Sequence, residues 1–168
     1  MPKLILDRQI VDDSATLLRN SDDGAFAAVP VSGTVIVPLA QYLAQKTELS
    51  ARGDVGVWFA ASDEPESLGA DAASLSLIAV EFPAFTDGRG FSTGRLLRER
   101  YGFKGELRAF GDVFKDTLNY LTRCGFNAFV IRDDKDIAEA LKGLDDFTES
   151  YQSSVAQPMP LFRRRQTG

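Results

Sequence analysis

Five apolar runs punctuate the chain, separated by polar or glycine-rich stretches. Residues 33–37 predict one strand, and 55–60, 75–82, 105–110 and 127–131 predict four more. The runs at 55–60 and 75–82 are apolar almost throughout, which fits strands buried on both faces. Helical patterns lie between them. Pro38 suits a first helical turn, because its missing N–H would have no partner there, and Leu39, Tyr42 and Leu43 give that helix an apolar stripe. Asp63-Glu64-Pro65-Glu66 predicts a capping box and a short helix to about Ala72. Ser92 predicts the cap of a helix that runs to about Tyr101 and is closed by Gly102. Asp112 predicts the cap of the next helix, with Phe114, Leu118, Leu121 and Cys124 as one buried stripe and Gly125 at its end. Asp133 or Asp134 predicts the cap of a last helix, buried through Ile137, Leu141 and Leu144.

Strands alternating with helices imply an α/β fold, with a mainly parallel sheet of about five strands and right-handed crossovers. Periodicity fits an open doubly wound sheet and a partial barrel equally. Residues 1–30 are weakly patterned and predict a loosely attached segment, with a short strand or small hairpin near its start. Residues 31–151 predict a single α/β domain. Residues 152–168, with Pro158, Pro160 and Arg163-Arg164-Arg165, predict an extended basic tail.

Composition narrows the chemistry. The chain has 168 residues and a formal net charge of −5, so it is not a nucleic-acid binder as a whole. It has no histidine, which removes Ser-His-Asp and Cys-His catalysis, the usual zinc sets and haem held by a protein imidazole. Acid–base chemistry falls to Asp, Glu, Lys or Tyr. The single cysteine, Cys124, excludes an internal disulfide and reads as a core thiol near a helix end. Neither a secretory leader nor a membrane-length apolar run is read, so the cytoplasm is the default location. No cofactor or metal site is evident, since Gly88-Arg89-Gly90-Phe91-Ser92-Thr93-Gly94 has the wrong final spacing for a dinucleotide loop.

In an α/β sheet, ligands gather where strands end and helices begin. After the run at 75–82 comes Thr86-Asp87-Gly88-Arg89-Gly90-Phe91-Ser92, then Arg95. Free N–H groups near Ser92, backbone close approach at Gly88 and Gly90, and the guanidinium groups of Arg89 and Arg95 predict capture of an oxyanion. Thr86, Asp87, Gly88, Arg89, Gly90, Ser92, Arg95 and Arg108 form the expected anion- or partner-binding set. Glu81 and Arg108, each a charge in an apolar strand, are expected to pair with one another, either as a structural ion pair or as supports for Asp87 and Arg89. Asp87 and Asp112 are the candidate bases, with helix capping as the competing role for Asp112. Between residues 89 and 108 the cations Arg89, Arg95, Arg98, Arg100, Lys104 and Arg108 outnumber Glu99 and Glu106, a local basic patch in an acidic chain.

Residues 79–92, Leu96-Leu97-Arg98-Glu99-Arg100-Tyr101-Gly102-Phe103, Gly105-Glu106-Leu107-Arg108-Ala109 and Arg123-Cys124-Gly125-Phe126 together resemble the bacterial domain-of-unknown-function family nine-three-four, from about Val35 to Gln152. The resemblance implies an oxidoreductase or accessory protein of assimilatory sulfite reduction. It implies sulfite reductase, or that enzyme's electron donor, as a partner, and it brings no catalytic residues of its own. The alternative is an enzyme or binding protein for a small phosphorylated or sulfonated metabolite. A plain scaffold is the third reading.

Overall fold

The frame is one sheet, curled into a half-barrel. The computed structural model describes residues 2–84 and 87–145. These form eight strands: β1 (Lys3–Leu6), β2 (Gln9–Asp12), β3 (Thr16–Leu17), β4 (Val35–Pro38), β5 (Val55–Phe59), β6 (Leu77–Phe82), β7 (Glu106–Gly111) and β8 (Ala128–Phe129). Their order is β2-β1-β8-β7-β6-β5-β4-β3. From β3 to β8 every neighbour is parallel, whereas β1 is antiparallel to both β8 and β2. The α-helices are α1 (Leu39–Ala44), α2 (Lys46–Ser50), α3 (Arg89–Glu99), α4 (Lys115–Arg123) and α5 (Ile137–Asp145).

The five expected strands are β4 to β8, and they lie side by side in chain order. Without a reversal of order there is no doubly wound switch point, and the helices share one face. Of the two expected architectures, the partial barrel matches this order. The weakly patterned N-terminal segment supplies the other three strands. β1 and β2 are the small hairpin expected near the start, whereas β3 is two residues long and is defined by its partner β4 rather than by its own pattern.

Helix starts differ from expectation for local reasons. The stretch after Asp63 forms two 3-10 segments, Pro65–Ser67 and Gly69–Ser74, with no side-chain cap. Asp63 instead accepts the Ala60 N–H at 2.8 Å. Helix α3 begins at Arg89, ahead of Ser92, because Asp87 accepts the Arg89 N–H at 3.1 Å and opens the helix earlier. Asp112 does not cap α4. Its carboxylate accepts from Arg132, and Thr117 closes the first turn by donating to the Phe114 carbonyl. Asp136, not Asp133 or Asp134, accepts the Ala138 N–H at the start of α5. The expected tail at 152–168 and the domain end at 151 lie outside the described residues.

Alternation along the strands divides the side chains between two layers. Val57, Ile78, Val80, Phe82 and Leu107 pack against Leu39, Leu97, Leu118 and Leu121 of the helices on the convex side. Ile36, Trp58, Leu77, Ala79 and Phe110 face the concave side, which no helix among the described residues covers. Gly56 is needed there, since a Cβ would sit 2.8 Å from the Leu77 carbonyl oxygen.

Chain connectivity enforces the curl. β2 and β3 are the two ends of the strand order, yet only Asp13, Ser14 and Ala15 join them. Across a flat sheet the gap would be about 34 Å at ~4.8 Å per strand. Three residues reach about 14 Å. The strap therefore crosses the concave face, and the sheet rolls around it. Arg108 fastens the strap. Its guanidinium donates to both Asp13 oxygens at 3.1 Å and to Glu106 at 2.8 Å, with its side chain only 7% exposed. In register it faces Ala79 on one side and Ala128 on the other, small neighbours that leave room for its stem.

Replacing Arg108 with Met keeps most of the stem but leaves two half-buried carboxylates without their cation. Urea denaturation should show a loss of about 3 kcal/mol. A loss below about 1 kcal/mol would place the closure elsewhere.

Candidate functional site

The structure distributes the predicted site over both faces of the sheet. Asp87 and Arg89 meet in a bidentate pair, with Arg89 Nε and Nη2 donating to Asp87 at 3.0 and 2.7 Å. That pairing, helped by the Arg89 N–H, lowers the Asp87 carboxyl to about 2. Gly88 is the N-terminal boundary residue of α3. Gly90 and Gly94 do allow a close approach, but to aromatic rings: a Cβ at Gly90 would lie 2.5 Å from the Phe82 ring, and one at Gly94 2.4 Å from Phe126. Arg95 faces away from Arg89. It reaches Glu99 at 3.8 Å and the Cys124 sulfur at 3.9 Å. The two arginines are six residues apart, about 120° round the helix, and their side chains do not converge. Thr86 lies outside the described residues.

Glu81 and Arg108 are not partners. Both face the concave side, but Glu81 registers with Phe110, and Arg108 with Ala79. Each takes a partner from the N-terminal segment instead: Glu81 accepts from Arg19, just past β3, at 2.7 Å, and Arg108 holds Asp13 of the strap. The sheet stands between them and α3, so neither orients Asp87 or Arg89. Asp112 accepts from Arg132 Nη1 at 2.7 Å, and Arg132 also holds Asp134 at 2.9 Å. Cys124 is buried, and burial raises its thiol pKa despite Arg95 nearby.

Three concavities border these groups. A groove of about 350 Å³ runs between residues 61–66 and the outer side of α3. Arg89, Ser92 and Arg100 form one wall, and Asp63, Glu64 and Glu66 the other. Hydrogen bonding and charge from Glu66 raise the Glu64 carboxyl. A mouth of about 460 Å³ opens at the C-terminal ends of β7 and β8, lined by Phe110, Gly111, Arg132, Asp133 and Asp134 among others. A third cavity, about 480 Å³, lies at the opposite strand edge beside Asp7, Arg8 and Arg98. There Arg98 serves the fold, donating to the Gly125 and Phe103 carbonyls at 2.9 and 3.0 Å.

The family model described as "Bacterial protein of unknown function (DUF934)" matches residues 56–162. The chain belongs to that family. The matched region begins later than the expected Val35 and runs beyond Gln152, so it takes in β5 to β8, α3 to α5 and part of the C-terminal segment. The strap and β1 to β4 lie before it. No curated protein and no solved structure matches the chain. Among the described residues of this DUF934 member, no helix is long and apolar enough to cross a membrane, and no group of three or more acidic or thiol side chains could hold a metal ion.

Residue patterns gave no sign of Arg19, whose partner Glu81 is 62 residues away, while Arg132 is legible as an occupant of the strand edge after the fifth run but not as the partner of Asp112. Trp58 was visible only as one apolar residue in an apolar run. Its position as the only tryptophan, and next to last in β5, was the available signal.

Asp87 supplies a pH test. Its folded pKa lies below the ordinary carboxylate value, so the stability that it contributes is present above about pH 4 and is lost as pH falls through about 2. Carbon-13 NMR should show the Asp87 carboxyl titrating near 2 in the wild type and clearly higher, between that and the ordinary carboxylate value, in Arg89→Ala, where the backbone N–H remains the donor. A midpoint near 4 in both proteins would mean the pair does not form in solution.

Proposed function

We propose that the protein is an accessory component of assimilatory sulfite reduction that docks through the outer side of α3. The observation that carries this reading is the basic ridge on that helix. Arg89 is 61% exposed, and the side it marks continues past the helix end through exposed Arg100 and Lys104, in a chain of net charge −5. Such a local reversal of sign steers and orients an acidic partner surface. Sulfite reductase, or its electron donor, is the partner that the family resemblance suggests. As an oxidoreductase component, the chain would work with an electron carrier held by that partner, because its only thiol is buried with a raised pKa.

A second reading has its own observation. The groove beside α3 joins Arg89, Ser92 and Arg100 in a space of about 350 Å³, adequate for a small phosphorylated or sulfonated metabolite. An incoming oxyanion would have to displace Asp87 from Arg89 and tolerate Glu64 and Glu66 opposite, so the docking role ranks first.

Growth separates the two. Deleting the gene should slow growth on sulfate as sole sulfur source, with cysteine restoring it. A folded Arg89→Glu/Arg100→Glu variant should fail to complement. Growth on sulfate indistinguishable from wild type would contradict the accessory role. The metabolite reading instead expects sulfate or phosphate to raise the melting temperature of the wild type, but not of Arg89→Ala.

A further inference from the structure

Trp58, Glu81 and Phe110 are each the next-to-last residue of a parallel strand, in β5, β6 and β7. All three face the concave side, at the C-terminal edge where sheets of this kind hold ligands. The Trp58 and Phe110 rings stand edge to face, 5.7 Å apart at 80°. Glu81 pairs in register with Phe110 and is partly exposed. Two aromatic rings beside a carboxylate form a receptor for a flat or bulky organic cation. Asp133 lines the adjoining mouth and adds to its negative character, beside Arg132, which Asp134 and Asp112 already pair.

That receptor is filled by the chain itself. The Arg19 guanidinium carbon lies 5.0 Å from the Trp58 ring centre and 5.9 Å from that of Phe110. Its Nη2 donates to Glu81 at 2.7 Å. We infer that Trp58, Phe110 and Glu81 form a binding site for a small guanidinium or quaternary ammonium cation, and that Arg19 occupies it as an internal stand-in which such a ligand displaces.

Three observations separate Arg19 from a fixed structural cation. Its side chain is 55% exposed, whereas that of Arg108, which fastens the strap, is 7% exposed. The strap holds the mouth without it, because Trp58 Nε1–H donates to the Leu18 carbonyl at 2.8 Å and β3 pairs with β4. The three receptor residues also lie within the family's matched region, and Arg19 lies outside it. Displacing Arg19 would uncover two rings that are now 7% and 8% exposed, so an incoming cation must cover them again to be favoured.

Trp58 is the only tryptophan, so its fluorescence reports on this site alone. The full chain is titrated with tetramethylammonium chloride and with arginine amide, at constant ionic strength against sodium chloride. Arg19→Ala should give a saturable change in Trp58 emission with both probes. Wild type should need at least about tenfold more probe, and Arg19→Ala/Glu81→Gln should bind at least about tenfold more weakly than Arg19→Ala. A folded Arg19→Ala protein with no saturable change, or one unaffected by Glu81→Gln, overturns the proposal. So does failure of both Arg19→Ala and Arg19→Gln to fold, which would make Arg19 part of the fold.

Discussion

One buried cation, Arg108, sets the shape of this molecule. It grips Asp13 and Glu106 on the concave side of the sheet, and Asp13 belongs to the three-residue link between strands at opposite ends of the order. A charge at this depth costs several kcal/mol unless it is paired, and here the Asp13 partner depends on the curl, whereas Glu106 lies two residues back on the same strand. Were the sheet to flatten, Arg108 would lose Asp13, and the link would be too short to span the edges. Ala79 and Ala128 beside it keep the site open. Packing on the convex side is conventional by comparison: apolar strand faces covered by apolar helix stripes.

The curl separates two chemistries. Outside, α3 carries exposed arginines, and Gly90 and Gly94 let that helix lie against Phe82 and Phe126. Inside, the strand ends present aromatic rings and carboxylates, with Arg19 and Arg132 as their paired cations. A macromolecular surface of negative sign suits the first, and a small cation suits the second. The same strap that closes the sheet brings Leu18 and Arg19 to the mouth, so the fold and the occupancy of the mouth are set by a single segment.

The sequence made the parallel core legible because β5 and β6 are almost continuous apolar runs, β5 following Gly53-Asp54 and β6 lying between Ser76 and Pro83. Register was not legible. Glu81 and Arg108 are both lone charges facing the concave side, and pairing them was the natural expectation. Their true partners lie 62 and 95 residues away, in a segment whose strands are too short to show periodicity. The loop at Asp87 was legible as a helix entrance, but its detail was not. Asp87 satisfies Arg89 directly, which turns an expected anion grip into an internal ion pair. Asp112 looked like a helix cap until Arg132, three residues past a short strand, claimed it. At Glu81 and Asp112 a local rule gave way to a distant arginine, and at Arg108 to a distant aspartate.

The dependence of the curl on Arg108 and Asp13 is tested most directly by a double-mutant cycle, with Asp13→Asn, Arg108→Met and their combination compared by urea denaturation. A coupling of about 2 kcal/mol between the two sites is predicted. Strictly additive losses, with coupling near zero, would contradict the account.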